Sequence, residues 1–474
     1  MVDRRPVTTL QGPPGSGKTA VVVELVQRAV AAGMRVLVCA PSNMAVDGLS
    51  VRLAQADEHL RLVRVGNPDR IEAAALNITA DKVAKRRAPL IEEEARVELV
   101  QMLATLSANA AMGKQRKAQM RDYMRRNSRR MVEKRLARGP AEAMADAQVL
   151  LCTTTAAADK AVLALPAFDL VVIDEAAQAT APNAWVPLLR GRRAVLVGDP
   201  QQLPPTLLSR SAAAEGLSVS LMETAQTAQP RAHTLLTTQW RMHASIAQWS
   251  STTFYDAQLG THPNVAERTL ADVSGVERTE LTAAALVGVR VGIDGGRDGE
   301  QRAANGQISN QAEALAAIGH AASLLRAGVV AHDLLIISPY GAQVQLLRRL
   351  LGAAAASQRV DERTAALGDS LAAIEVATID ASQGREAEAV IVSLVRSNAR
   401  RAVGFLADHR RLNVAVTRAR RHLALVCDPT TVAADPLLAT LMDHVASAGE
   451  WRPADLFEVG GAPAEFVALD AAGP

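Results

Sequence analysis

Residues 12–19 read GPPGSGKT. Gly15 and Gly17 can adopt backbone conformations closed to other residues, so the loop's N–H groups can curl round a polyphosphate. Lys18 adds a point charge at the β/γ-phosphates and Thr19 a hydroxyl for Mg²⁺. The cradle takes in Gly12, Pro13, Pro14, Gly15, Ser16, Gly17, Lys18 and Thr19. Further on, VVIDEAAQA (171–179) ends an apolar run in two adjacent carboxylates. Downstream of a phosphate loop, Asp174 can hold the cation through its shell, and Glu175 can orient and deprotonate an attacking water. GDPQQLPP (198–205) follows the next apolar run and puts Asp199 and Gln202 where a strand end can meet a terminal phosphate. The alternative there is a proline-stiffened turn.

The second half of the chain has no phosphate loop of its own. It offers arginines instead: Arg241 in TTQWRMH (237–243) and Arg418 in RRLNVAVTRARRHLAL (410–425). Arginines brought to a γ-phosphate by a second domain contribute on the order of 10³–10⁵ in rate. Alone, Arg241 also reads as half of a surface ion pair.

These side chains need rigid strand ends to stand on. RVLVCA (35–40), AQVLLCT (147–153), DLVVIDEA (169–176) and RAVLVGD (193–199) are continuous apolar runs, the mark of parallel strands buried on both faces. AVVVELVQRAV (20–30) has helical spacing directly after the phosphate loop. DLLIISPY (333–340), IEVATID (374–380), AVIVSLV (389–395) and HLALVCD (422–428) form a second set of buried strands. Asn310 and Glu313 read as a helix N-cap pair before ALAAIGHAASLL. The glycine-rich stretch Gly288–Gly306 reads as a mobile loop. Between about Pro68 and Ala145 the pattern breaks into an Ala-, Arg-, Glu- and Met-rich stretch, which reads as a long helical hairpin turning near Asn109–Gly113 and stopping at Gly139-Pro140. The fold class expected is α/β, two tandem parallel-sheet domains with a helical-hairpin insertion in the first. The boundaries are a first domain over 1–228, interrupted by the insertion at 68–146, a second over 229–452, and an irregular tail over 453–474.

At 474 residues the chain exceeds one ordinary core. No apolar run approaches the ~18 residues of a membrane span, and no apolar signal region opens the chain. Cys39, Cys152 and Cys427 fit no zinc spacing and read as buried thiols of a reducing compartment, cytoplasmic and/or nuclear. The net charge of +3 is unevenly spread. Residues 82–138 hold 16 Lys/Arg against 6 Asp/Glu, while the remainder is net negative. Such a cluster reads as an arm facing phosphates, with a solvated helical face as the alternative. Aromatic residues make up only 3% of the chain, so contacts to a single strand should be made mostly to phosphate and sugar.

In their order, GPPGSGKT, APSNMAVDGL, CTTTAA, DEAAQA, GDPQQLPPT, QWRMH, SPYGAQ, VATIDASQGREAEAVIVSLVRSN and RRLNVAVTRARRH resemble the superfamily 1 helicases. The branch they look most like contains the nonsense-mediated-decay and the immunoglobulin-mu-binding helicases, with the stretch from Val376 to about Trp451 closer to the latter. The resemblance covers nearly the whole chain and implies two RecA-like domains that sandwich ATP. It implies that Gln202 senses the γ-phosphate and that Arg241 and Arg418 contact it. Glu386 falls near the nucleotide, and Trp240 falls where the family usually stacks a tyrosine on adenine, with a core tryptophan as the alternative. For the strand it implies Pro41, Ser42, Asn43 and Thr153, Thr154, Thr155 on the first domain. On the second it implies Ser338, Pro339, Tyr340, Thr378 and Gln383, with Tyr340 either stacking a base or serving the fold. The family's upstream helix and adenine-reading glutamine, and the N-terminal part of a small β-barrel, are expected to be missing. The reading is an ATP- and Mg²⁺-dependent helicase or translocase on single-stranded RNA or DNA, moving 5′-to-3′ as the family implies. It is expected to be monomeric and away from membranes. The alternative is a nucleic-acid-stimulated ATPase clamp that remodels complexes without unwinding.

Overall fold

The apolar runs are parallel strands, and alternate residues of each run face different cores. The computed structural model describes residues 7–108, 112–291, 299–358 and 365–454. It divides into one unit comprising residues 1–11, 18–200 and 204–234 and another comprising residues 12–17, 201–203 and 235–474.

The first unit is built on β1 (Val7–Gln11), β2 (Val36–Ala40), β3 (Leu62–Arg64), β4 (Val149–Thr153), β5 (Leu170–Ile173), β6 (Ala194–Gly198) and β7 (His233–Leu235). Their order in the sheet is β3-β4-β2-β5-β6-β1-β7. The pairs β3–β4, β4–β2, β2–β5, β5–β6 and β6–β1 are parallel. Leu37, Cys39, Leu150, Val171 and Leu196 join one core, while Val36, Val38, Leu151, Val172 and Val197 join another. A strand with a core on each face cannot alternate polar with apolar, which is why the sequence shows unbroken runs. Helix α1 (Lys18–Ala31) follows the phosphate loop, and α2 (Asn43–Ala56) is capped by the Ser42 side chain, which accepts from the Ala45 N–H.

Between β3 and β4 run two short 3₁₀ turns and then α3 (Ala80–Ala108) and α4 (Lys114–Asp146). The two helices pack along each other, with the Lys117 ammonium donating to the Ser107 carbonyl at 2.9 Å. Residues 109–111 of the expected turn lie outside the described residues. One expectation is corrected: α4 does not stop at Gly139-Pro140 but runs through both to Asp146. Gly139 is buried against Ala84, and Ala143 and Met144 enter the first core. That packing offsets the helical hydrogen bond lost at Pro140.

The second unit opens with the short pair β8 (Thr238–Gln239) and β9 (Gly260–Thr261). It continues with β10 (Leu286–Arg290), an antiparallel pair β11 (Gln301–Arg302) and β12 (Ile308–Ser309), then β13 (Leu334–Ser338), β14 (Glu375–Thr378), β15 (Ala387–Ser393), β16 (Ala419–Cys427) and β17 (Glu450–Pro453). The six-stranded sheet has the order β14-β13-β15-β16-β10-β17, parallel throughout. Its residues alternate as in the first sheet: Ile336, Ile391 and Val426 face one core, Ile337, Val392 and Leu425 the other.

Gly288–Gly306 also departs from expectation. Its start is strand β10 and its end enters the β11–β12 hairpin, while residues 292–298 lie outside the described residues. Gly288 is glycine for space: it pairs with Trp451 on β17, and a Cβ there would overlap the indole. Of the expected tail, residues 455–474 lie outside the described residues. Among the described residues no helix is long and apolar enough to cross a membrane.

Candidate nucleotide site and strand-end loops

β5, β6 and β1 lie side by side in the seven-stranded sheet, and the Asp174–Glu175 pair, Asp199 and the phosphate loop leave their carboxyl ends. Ligands of open parallel sheets bind at that edge. After β1 the loop turns at Gly15 and Gly17, with φ of +73° and +81°, values that side-chain-bearing residues rarely hold. The Ser16 hydroxyl donates to the Pro13 carbonyl at 2.7 Å and its N–H to the same oxygen at 3.2 Å, which closes the curl. Lys18 and Thr19 begin α1, so the ammonium and the hydroxyl stand at a helix N-terminus.

Asp174 and Glu175 follow β5 directly. Asp174 is 7% exposed, and its pKa is raised to about 7 by burial and by the neighbouring charge of Glu175, against the pull of Lys18. Its Oδ1 accepts the Glu175 N–H at 3.0 Å. Glu175 sits in the left-handed region at φ +51°, uncommon for a residue with a side chain. Gln178 grips its carboxylate: the Gln178 Nε2 donates to the Glu175 Oε2 at 2.8 Å. Gln178 is missed by the sequence reading, although its place three residues on within DEAAQ is the signal. After β6, Asp199 accepts from the Gln11 amide at 3.1 Å.

In the second unit, buried Gln239 organises the QWRMH loop. Its Oε1 accepts the N–H groups of Arg241 and Met242, and its Nε2 donates to the Met242 carbonyl and to the Thr261 hydroxyl. Trp240 is turned outward, 52% exposed, so the core-tryptophan alternative is set aside. Its N–H donates to the Gly15 carbonyl at 2.9 Å, and its ring stacks on His262. His262 carries no motif, and only the β8–β9 pairing brings it under the indole.

Arg241 and Arg418 come together around Thr417: Arg241 donates to the Thr417 carbonyl at 3.1 Å, while Arg418 donates to the carbonyls of Val414 and Arg385. Arg241 also pairs with Glu386, which Arg420 contacts from another side. Burial works to raise the Glu386 pKa, but the Arg241 and Arg420 guanidiniums outweigh it and hold the carboxyl below its usual range. Gln202 is buried, and the neighbouring Gln201 carbonyl accepts from Asn413 at 2.9 Å. Asn413 is a further residue the sequence reading misses, lying inside RRLNVAVTRA.

The strand-contact candidates sit at carboxyl ends of neighbouring strands. Pro41, Ser42 and Asn43 follow β2, and Thr153, Thr154 and Thr155 end and follow the adjacent β4. Ser42 and Thr155 are exposed, whereas Thr154 is buried. The Asn43 Oδ1 accepts from Arg64 at 2.9 Å, and Arg64 forms a fully buried ion pair with Asp47 at 2.7 Å. In the second unit Ser338, Pro339 and Tyr340 end and follow β13, and Thr378 ends the adjacent β14 with Gln383 beyond it. Ser338 and Tyr340 are buried, and the buried Gln383 Nε2 has no hydrogen-bond partner among the described residues. Tyr340 therefore serves the fold, its hydroxyl accepting from the Phe405 N–H at 3.3 Å.

A parallel sheet that carries a phosphate loop at one strand end and an Asp–Glu pair at another, with a single strand between them, defines a RecA-like, phosphate-loop nucleotide-binding domain, and here a second parallel-sheet domain follows it in tandem. Two family models, each described as an AAA domain, match residues 1–210 and 217–430. DNA-binding protein SMUBP-2 of Mesocricetus auratus is 38% identical over 456 residues, 95% of this chain and 44% of that protein. DNA polymerase alpha-associated DNA helicase A of Schizosaccharomyces pombe is 34% identical over 432 residues, 90% of this chain and 61% of that protein. ATP-dependent helicase NAM7 of Saccharomyces cerevisiae is 30% identical over 451 residues, 94% of this chain and 42% of that protein. The chain belongs to the superfamily 1 helicase family, in the branch that holds these proteins. It spans about half the length of these relatives.

Proposed function

We propose that the chain is an ATP hydrolase that works as a helicase or translocase on single-stranded nucleic acid. The observation that carries this reading is a division of labour. One sheet presents the phosphate loop at the end of β1 and Asp174 and Glu175 at the end of β5, with only β6 between these strands, while the other has no phosphate loop and gathers Arg241 and Arg418 around Thr417.

In this reading Lys18 and the loop N–H groups bind the β/γ-phosphates, and Glu175, set by Gln178, orients the attacking water and takes its proton. Arg241 and Arg418 stabilise charge on the transferring phosphoryl group, Gln202 senses it, Glu386 steadies Arg241, and Trp240 stacks on adenine. Thr19 and Asp174 would hold Mg²⁺, whose charge neutralises the phosphate oxygens. The donor set fits: Asp174 is a buried carboxylate whose ionised form needs a nearby positive charge. Mg²⁺ also takes only one or two protein ligands beside phosphates and waters.

The strand would run over the loops at 41–43 and 153–155 and over those at 338–340 and 378–383. Hydroxyls, amides and backbone N–H groups at strand ends suit phosphates and sugars rather than base edges. The names of the relatives support nucleic acid as the ligand, and the family implies 5′-to-3′ movement. Three buried thiols support a reducing, intracellular setting. The test is an ATPase titration with single-stranded RNA and single-stranded DNA side by side, together with strand displacement on a tailed duplex. Hydrolysis indifferent to both strands would overturn the reading. Stimulation without displacement would convert it to a remodelling clamp.

A further inference from the structure

Phe405 is 59% exposed, on the short helical turn Gly404–Ala407. A single exposed apolar side chain is ordinary on a protein surface. What sets this one apart is how it is held and where. Its N–H donates to the Tyr340 hydroxyl, and its ring meets the Tyr340 ring edge-on, centroids 5.7 Å apart at 72°. Arg396 donates to the same hydroxyl at 3.4 Å and forms an ion pair with Glu300 at 2.7 Å, both side chains almost fully buried. Gly404, at φ +56°, leaves the room that the Arg396 guanidinium fills. A buried Tyr340–Arg396–Glu300 assembly therefore fixes the posture of an aromatic ring that is itself left in solvent.

Tyr340 and Arg396 both follow the carboxyl ends of neighbouring parallel strands, β13 and β15. That is the sheet edge where ligands bind, and the loops at 338–340 and 378–383 leave from the same edge. The segment around the ring is basic. Arg400 and Arg401 are exposed five and four residues before it, and Asp408 beyond it already pairs with Arg411. A held aromatic face beside cations, at the end of a sheet, is the arrangement that binds single strands by stacking on bases and pairing with phosphates. A duplex keeps its base faces stacked inside, so it offers this ring nothing to stack on.

We propose that Phe405 is a base-stacking contact for single-stranded nucleic acid, with Arg400 and Arg401 on the adjoining phosphates. This rests on the strand-binding reading above and adds a base contact to it. Any base has a face to offer, so the contact tolerates sequence, and RNA and DNA supply the same chemistry.

The experiment measures binding of the full chain to a fluorescent oligothymidylate and to an abasic strand of equal length, for the parent, F405A and F405W. F405A is expected to weaken binding to the base-bearing strand on the order of ten-fold and to leave the abasic strand unchanged. F405W is expected to restore binding and to show indole quenching with the base-bearing strand alone. Equal weakening on both strands, or no weakening on either, overturns the proposal while strand binding by the parent stands. A parent that binds neither strand overturns the strand-binding reading, and this one with it.

Discussion

The indole of Trp240 lies on the imidazole of His262, ring centroids 3.4 Å apart and planes 19° from parallel. One face of the indole is thus backed and its plane fixed, since His262 is itself tied down by its N–H to the Gln239 carbonyl and by its Nδ1, which accepts from the Asn264 N–H. A backed ring loses less freedom when a base lands on its open face. Trp240→Ala is expected to raise the KM for ATP on the order of ten-fold with a smaller effect on kcat, and His262→Ala to raise it less. Steady-state ATPase kinetics check this; an unchanged KM in W240A would remove the adenine-stacking role.

Lys18 is the side-chain cation of the phosphate loop. Lys18→Ala is expected to abolish hydrolysis, a loss of at least a hundred-fold (roughly 3 kcal/mol) in kcat/KM. Phosphate release by the purified variant measures it, and retained turnover would sink the central claim.

Glu175 occupies a left-handed backbone conformation and Gln178 grips its carboxylate. Gln178→Ala is expected to lower kcat about ten-fold, because the water-activating oxygen loses its fixed direction, while KM stays within about two-fold. A rise in KM with kcat unchanged would mean that Gln178 serves nucleotide binding instead.

The arginines at 125, 126, 129 and 130 are all exposed along α4. Replacing the four with alanine is expected to weaken strand binding and to flatten the slope of log K against log salt by about one to three. An identical slope in the variant would return the arm to a solvated helical face.

Two buried groups of the second unit give its stability opposing pH dependences. His422 contacts His320, Nε2 to Nε2 at 2.8 Å, and burial lowers its pKa to about 4 from 6.5. The unfolded chain therefore takes up this proton first, and a contribution on the order of 3 kcal/mol, full above about pH 6.5, is lost as pH falls toward 4. Glu313 accepts from the Ser393 hydroxyl and the Val395 N–H, yet burial raises its pKa to about 8. Its contribution is full below 4.5 and is lost as pH rises through 8. Glu313→Gln is expected to remove the alkaline loss and leave the acid loss in place, read from urea midpoints at several pH values. A variant with the parent's alkaline slope would show that Glu313 is not the group responsible.

The sequence was most legible where one strand and its own end carry the chemistry. GPPGSGKT, DEA and the runs around them are local, so composition and spacing suffice, and the structure places them at the ends of two strands of one sheet, β1 and β5, with only β6 between. Residues supplied by the fold were invisible. His262 reaches Trp240 only through the β8–β9 pairing, and Asn413 reaches Gln201 across 212 positions of chain. Local rules also failed where packing outweighs them. Gly139-Pro140 is a stop signal until Gly139 is pressed against Ala84, and Gly288 suggests a loop until Trp451 claims the space of its Cβ. Tyr340 was readable either way, and the choice lay in a hydroxyl contact with Phe405, 65 positions on.

Cys39, Cys152 and Cys427 are all buried, and burial raises the Cys39 and Cys427 thiols well above their ordinary range. A thiol that stays protonated and out of solvent is a poor target for maleimide chemistry. The parent sequence is thus a quiet background for site-specific dyes. One cysteine introduced at exposed Gln55 and another at exposed Ala446 would carry a donor and an acceptor, one on each unit, with no need to strip the native thiols first. Single-molecule energy transfer could then follow the two units through an ATP cycle in the otherwise native chain.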